Sequence, residues 1–432
     1  MSKIRQYFNT LEITRGLGIA LLGSGFIYLE YWGFSFPLLN TILALSSLFL
    51  LLQSTTKTWF WSGFFTGFLW FWWIAISFIH YDMPWAIPFV VLCINLCYAI
   101  LFLLISKMAQ IIAKHFFISH PLVPLVVKAS GLFLLSYIHP FHFDWFKPEL
   151  AFIQTYLGIS KWQYAIILLS IILAIGKKNL LYLFLLIFAY QTKVDIPTPS
   201  THIQLIRTNI SVKDKWNTAL HAQQYKKIFH AIDVAIHEKK SLIVLPESVF
   251  PVFLNRSQTL MHTLKEKAKH ISIVTGALYW DGTTPRNSTY IFTHHKVTIA
   301  NKVLLVPFGE SNPLPNFLST WINKIFYDGA VDYKASEKIT DYEIDGIVYR
   351  NAICFEATSE KLYQKDKDGK RPKNMIVLSN NGWFTPSTEP TLQKLLLAYY
   401  SKKYATTIYH SINMSESYII SKGIVLKTIP NP

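Results

Sequence analysis

The sequence predicts an α-helical multi-span membrane domain followed by an α/β domain, and three observations predict it. Of the 432 residues, 51% are hydrophobic and only 15% charged, with a mean hydropathy of +0.29. That balance excludes a disordered chain, a disulfide-stapled secreted module and a coiled coil. The charge is also divided: residues 1–200 carry 12 Lys and Arg and 6 Asp and Glu, whereas the remaining 232 carry 29 and 19. Finally, the first half is a series of apolar runs, and the second alternates short apolar strands with amphipathic stretches. The expected boundaries are a membrane domain over 1–192, a linker over 193–201 and an α/β domain over 202–432.

The apolar runs cover roughly 14–31, 36–53, 59–79, 85–106, 121–138, 162–176 and 179–192. Several approach or exceed the ~20 residues that a helix needs to cross a bilayer. The last two, separated by Gly176-Lys177-Lys178-Asn179, predict a tight helical hairpin. With the N-terminus in the cytoplasm, that side receives Lys3, Arg5, Arg15, Lys57, Lys107, Lys114, Lys177 and Lys178, and the opposite side only Lys147 and Lys161. Seven spans from an inside start then put everything after about 193 on the outer face, the periplasm of a Gram-negative inner membrane. Lys128 falls inside the fifth run, where a charge is costly; it is expected to snorkel or to pair with a lipid headgroup. The clusters Trp59-Phe60-Trp61 and Trp70-Phe71-Trp72-Trp73 read as interfacial belts or as the lining of a lateral opening.

The net charge of +16 fits an anionic bilayer better than a nucleic acid, because no basic helix, RNP-like strand or zinc-knuckle spacing accompanies it. Three cysteines occur. Cys93 and Cys97 lie within an apolar run, which leaves Cys354 as the thiol of the second half. The histidines lack a ligand spacing typical of zinc, and no phosphate-cradling or dinucleotide glycine motif is found. No metal and no cofactor are expected.

In the second half, His202–Ile206, Ser241–Leu245, Ile271–Thr275, Ser288–Phe292, Ile347–Phe355 and Asn374–Leu378 read as strands, and 216–238, 256–269, 357–365 and 390–405 as helices. The alternation argues for a layered α/β domain. Three of its strand ends carry chemistry. A buried-type strand stopped by proline delivers Glu247 at its mouth, where apolar walls can raise a carboxylate pKa and make it a general base. Lys302 precedes the apolar turn Val306-Pro307-Phe308-Gly309 and a second carboxylate, Glu310. Cys354 ends a strand and precedes Glu356, a corner at which a nucleophile can meet a cleft. Each taken alone has a plain alternative: a helix N-cap, a solvated charge, a buried structural thiol.

Together, Glu247 in Leu-Pro-Glu-Ser, Lys302 in Asn-Lys-Val-Leu-Leu-Val-Pro-Phe-Gly-Glu and Cys354 in Ile-Cys-Phe-Glu resemble the Glu-Lys-Cys triad of the nitrilase superfamily. Joined to an N-terminal multi-span region, they resemble the apolipoprotein N-acyltransferase family over nearly the whole chain. Asn209-Ile210 with Lys215-Trp216, Gly276 with Asn287-Ser288, and Asn380-Asn381-Gly382-Trp383-Phe384 match further family segments. The resemblance implies an α-β-β-α sandwich, with Cys354 as nucleophile, Glu247 as general base and Lys302 as oxyanion stabiliser. It implies Glu310 and Glu356 as supporting carboxylates that orient Lys302 and the incoming amine. The implied reaction moves an acyl chain from a phospholipid, typically phosphatidylethanolamine, through a thioester to the α-amine of a diacylglyceryl-cysteine lipoprotein. Phe308, Asn381, Trp383 and Phe384 are candidates for substrate contact, and Leu314, Phe317, Leu318 and Trp321 join them as lipid-facing or lid candidates.

Against the family pattern, Phe355 stands where tyrosine is common and Asn381 where aspartate is expected. Asn413-Met414-Ser415 matches a later segment loosely, and no apolar run follows the α/β domain. The chain therefore reads as a divergent, shortened member, expected to act as a monomer within the bilayer. The alternative is a membrane-anchored amidase or nitrilase that hydrolyses a C–N bond with the same triad. A non-enzymatic membrane scaffold is the third reading, and replacing Cys354 separates it from both enzymes.

Overall fold

The structure, a computed structural model, describes all residues except 1–8, 116–119, 121, 140–142, 192–199, 295, 313–332, 366–368 and 430–432. The chain forms two compact units. One comprises Met1–Ile138, Phe146–Val194 and Pro386–Tyr399; the other comprises His139–Trp145, Asp195–Thr385 and Tyr400–Pro432. Two short segments thus group with the unit that lies across the sequence boundary near 193.

The first unit is helical: α1 (Thr10–Tyr31), α2 (Pro37–Gln53), α3 (Thr56–Phe71, continued as a 3-10 helix over Trp72–Tyr81), α4 (Ile87–His115), α5 (Leu122–Leu135), α6 (Lys161–Gly176) and a 3-10 segment over Leu180–Ala189. Each predicted apolar run is helical over most of its described residues. Starts are set by local capping chemistry. The Asn9 side chain accepts the Leu11 N–H, Thr55 accepts that of Thr58, and Ser160 with Gln163 forms a reciprocal capping box, each satisfying an orphan donor of a first turn. By length and composition, Thr56–Tyr81 and Pro84–His115 are able to cross a membrane, while Pro37–Gln53, Leu122–Leu135, Lys161–Gly176 and Leu180–Ala189 are shorter. α3 and α4 approach closely, since a Cβ on Gly63 would lie 2.4 Å from the Tyr98 carbonyl oxygen; small residues permit such backbone contact.

Lys128 neither snorkels nor waits for a headgroup. Its Nζ donates to the carbonyls of Leu52 at 3.2 Å and Ser54 at 2.7 Å, so it closes the C-terminus of α2, where the last carbonyls lack partners and the helix dipole favours a cation. Lys128→Met should lower the stability of the detergent-solubilised protein by about 1–3 kcal/mol, the cost of leaving buried acceptors unmade; an unchanged melting temperature would refute this role. Lys161, counted among the loop charges, is also paired. Fully buried Glu149 accepts from Lys161 Nζ at 2.5 Å, Ser136 Oγ at 2.5 Å and Tyr399 OH at 2.9 Å.

The second unit holds two mixed six-stranded sheets. The first contains β1 (Ile203–Leu205), β2 (Leu242–Val244), β3 (Phe250–Phe253), β4 (Ser272–Trp280), β5 (Pro285–Thr293) and β6 (Lys296–Asn301), in the order β1-β2-β4-β5-β6 with β3 paired to β4. β1, β2 and β4 run parallel, and β5 and β6 return antiparallel. Between these strands lie the helices α7 (Val212–Lys215), α8 (His221–His237) and α9 (Gln258–Lys267). The second sheet has the order β12-β11-β10-β9-β8-β7, formed by β7 (Asp341–Ile344), β8 (Ile347–Ile353), β9 (Asn374–Asn380), β10 (Thr407–Asn413), β11 (Ser417–Ser421) and β12 (Ile424–Ile429). β8, β9 and β10 are parallel, and α10 (Glu389–Tyr404) makes the β9–β10 crossover that parallel strands require.

Two apolar layers hold this unit together. α8 buries Gln224, Ile228, Ile232 and Ala235, a helical stripe, and Ile228, Ile232 and Ala235 pack with α9 onto Ile243, Ile273 and Tyr290 of the first sheet. The opposite face of that sheet (Leu205, Val244, Val274, Ile291) meets Tyr349, Ile376, Leu378 and Tyr409 of the second. Because strand side chains alternate between faces, β2, β4, β5 and β6 feed both layers. Residues 357–365, expected as a helix, instead form two short 3-10 turns, Cys354–Thr358 and Glu360–Tyr363. The strands β3, β6, β7 and β10–β12 were not anticipated from the sequence.

Candidate active site

The parallel strands deliver their C-terminal ends to one place, as open α/β sheets do. β2 runs into Leu245-Pro246-Glu247. The Glu247 backbone is pinned against β4, where a Cβ on Gly276 would lie 2.5 Å from Ser248 N and 2.7 Å from Glu247 Cα; only glycine permits that approach. Asn287 on β5 then bridges two carboxylates, its Nδ2 donating to Glu247 Oε1 at 2.8 Å and to Glu310 Oε1 at 2.9 Å.

Lys302 follows β6 and is 1% exposed. Its Nζ lies 2.8 Å from Glu310 Oε2 and 4.0 Å from Glu247 Oε1. Burial opposes the ammonium, but Glu310, Glu247 and Cys354 outweigh it and hold its pKa well above the ordinary lysine value. Burial likewise raises Glu247 above the usual carboxylate range, against the Lys302 charge. A raised carboxylate beside a fixed cation is suited to taking and returning a proton. Glu310 closes its own turn: its Oε2 accepts the Val306 N–H at 2.9 Å, and Phe308 within the turn adopts φ 62°.

Cys354 sits at the end of β8 with φ 52°, half-buried. A non-glycine residue held there is strained, a feature that clusters at functional corners. Glu356 staples the corner. Its Oε1 accepts Ile353 N–H at 2.8 Å, and its Oε2 accepts Val303 N–H at 2.7 Å and Leu304 N–H at 3.1 Å. It thereby ties the strand bearing Cys354 to the segment bearing Lys302. Burial pushes its pKa up to about 7, against the lowering effect of Lys302 and those three N–H groups.

Glu247, Lys302, Cys354, Glu310 and Glu356 are thus brought together. The 3-10 turn Asn381–Trp383 follows β9, whose Leu378 pairs with Ile353 of β8, so it leaves the sheet at the same end as Cys354. Asn381 is buried, with Nδ2 3.4 Å from Ser415 Oγ, and Trp383 and Phe384 are half-buried. The buried bond to Asn413 falls to Asn380, whose Oδ1 accepts from Asn413 Nδ2 at 2.7 Å. Phe308 is 37% exposed, and Leu314, Phe317, Leu318 and Trp321 lie outside the described residues. Phe143, from the segment between α5 and α6, stacks on Phe355 with centroids 6.0 Å apart. Neither it nor Asn287 was singled out as a site residue from sequence. The signal for Asn287 was its place in a matched segment; Phe143 gave none. Among the described residues no group of three or more His, Cys, Asp or Glu side chains is placed to hold a metal ion.

The model of the apolipoprotein N-acyltransferase integral membrane domain matches residues 10–194. The apolipoprotein N-acyltransferase of Wolinella succinogenes is 40% identical over 417 residues, covering 94% of this chain and 96% of that protein. The chain belongs to the apolipoprotein N-acyltransferase family. It is accordingly a bacterial membrane acyltransferase, with an α/β domain after its helical membrane domain. The apolipoprotein N-acyltransferase of Campylobacter jejuni is 35% identical over 424 residues, 95% of this chain and 89% of that one. Among solved structures, a CN-hydrolase superfamily protein from Xanthomonas campestris aligns with TM-score 0.40 and 14% identity, over 52% of this chain and 85% of that chain.

Proposed function

We propose that this acyltransferase moves a fatty acyl chain from a phospholipid, phosphatidylethanolamine in the first instance, to the α-amine of a diacylglyceryl-cysteine lipoprotein through a thioester on Cys354. The observation that carries the reading is the Lys302 ammonium, buried between Glu247 and Glu310 beside a strained cysteine. Glu247 takes the Cys354 thiol proton, and the thiolate adds to the ester carbonyl. The oxyanion that forms is met by Lys302, a preorganised charge. Collapse breaks the ester C–O bond, Glu247 returns the proton to the leaving lysophospholipid oxygen, and the thioester remains. The amine then adds to the thioester, gives a proton to Glu247 and expels the thiolate.

Both substrates are lipids, which accounts for a membrane domain in front of the catalytic one. The loop-charge bias supports a multi-pass inner-membrane protein with a cytoplasmic N-terminus and a periplasmic α/β domain. The test is purified protein in detergent with phosphatidylethanolamine and a synthetic diacylglyceryl-cysteine peptide, followed by mass spectrometry. A gain of one acyl chain by the peptide, lost in Cys354→Ala, is expected. An unchanged peptide with fatty acid or ammonia released would replace the reading with a hydrolase, and no turnover at all would favour a scaffold.

A further inference from the structure

Lys215 is 2% exposed, while Trp216 beside it is 42% exposed. Burying a lysine and exposing the adjacent tryptophan inverts the usual partition, and it persists only where the ammonium finds partners. Its place is built rather than incidental. Ser211 caps α7 by accepting the Asp214 N–H at 3.1 Å. Gln224 on α8 donates to the Asp214 carbonyl at 2.8 Å, and His221 Nε2 lies 3.1 Å from the Lys215 carbonyl. Upstream, Asn413 holds Ile210 through both its N–H at 3.0 Å and its carbonyl at 2.8 Å. From this mount the Lys215 Nζ donates to the Glu247 carbonyl oxygen at 3.0 Å.

We infer that Lys215 is a positioning residue of the reaction, holding the Glu247 backbone by its carbonyl oxygen and supplying a second positive charge to the Cys354 thiolate. The inference rests on the proposed role of Cys354. Its reason is charge balance. Lys302 already faces two carboxylates, Glu247 and Glu310. Once Glu247 has accepted the thiol proton, the thiolate and Glu310 are two negative charges, and Lys302 offsets one. Lys215 offsets the other. Burial lowers its pKa to about 8, opposed by Glu247 and Cys354, so it is still charged at neutral pH. Its own helix also carries Lys213 and Asp214, His221 on α8 meets its carbonyl, and the Glu247 that it holds faces Lys302 and Glu310 in turn.

The test needs no lipid. Alkylation of Cys354 by iodoacetamide is followed against pH in the full-length protein in detergent, with peptide mass spectrometry separating Cys354 from Cys93 and Cys97. In Lys215→Met and Lys215→Gln the midpoint should rise by about one unit, which slows alkylation at pH 7 roughly tenfold, while Lys215→Arg keeps the wild-type midpoint. Unchanged midpoints in both neutral variants, in protein that melts like wild type, would overturn the inference. Should neither fold, Lys215→Arg decides. Its guanidinium stays charged throughout, so its profile should follow a single titration where the wild type broadens near pH 8 as Lys215 discharges; identical profiles would overturn the inference. A wild-type Cys354 that titrates like an ordinary thiol would sink the thioester reading together with this one. An activated Cys354 that ignores Lys215 would sink this one alone.

Discussion

Lys302→Met should reduce acyl transfer by at least ~10³-fold and destabilise the α/β unit by about 3–5 kcal/mol. Two independent physical effects combine. Removing one preorganised donor to an oxyanion costs roughly 10²–10³ in rate, and the same ammonium also sets the protonation of Glu247. Deleting one partner of a buried ion pair leaves uncompensated charge behind, here on Glu310 at 2.8 Å and Glu247 at 4.0 Å, and such losses are large. Lys302→Arg separates the two. It keeps the charge, so most of the stability should return, but the planar fork cannot place one compact ammonium between two carboxylates and activity should stay low. Thermal melting in detergent and the mass-spectrometric acylation assay read the two effects. A Lys302→Met enzyme that keeps more than about one-hundredth of the wild-type rate would contradict the role assigned to Lys302.

Gly276→Ala should reduce activity by about 10²-fold with a smaller loss of stability. The new methyl would lie 2.5 Å from Ser248 N and 2.7 Å from Glu247 Cα. Those are backbone atoms, so no side chain can swing aside and the strand end bearing Glu247 must move. Displacements on the order of 1 Å in a catalytic group cost about 10²-fold, whereas overpacking costs about 1–3 kcal/mol. Gly18→Ala is the control, because a Cβ there meets nothing within 4 Å. Equal activity of Gly276→Ala and Gly18→Ala would show that the Glu247 backbone tolerates displacement.

The helical half was legible because its signal is local: apolar runs of a length set by bilayer thickness. The strands that escaped notice fail that criterion. β10 reads Thr-Ile-Tyr-His-Ser-Ile-Asn, with polar residues where a core strand is expected to be apolar, yet all but its first residue are buried. The partners that its buried polar side chains do find are distant in sequence. His410 Nε2 meets Ser379 Oγ at 2.7 Å, Ser411 Oγ donates to the Ile206 carbonyl at 2.6 Å, and Asn413 holds Ile210. Buried polar atoms survive when they are bonded, and no window of sequence shows those bonds.

By itself the sequence determined which segments are apolar helices, that an α/β domain follows, and that a glutamate, a lysine and a cysteine stand where strands end. These follow from residue chemistry and periodicity, properties of neighbours along the chain. Tertiary structure alone decided which charges are taken out of water and what they face. Lys128 closes a helix instead of reaching for a headgroup, Lys215 is drawn inside while Trp216 stays out, and Asn287 joins two carboxylates. The physical reason is that desolvation and Coulomb energy depend on distances in space, and packing brings together residues that the sequence keeps tens or hundreds of positions apart.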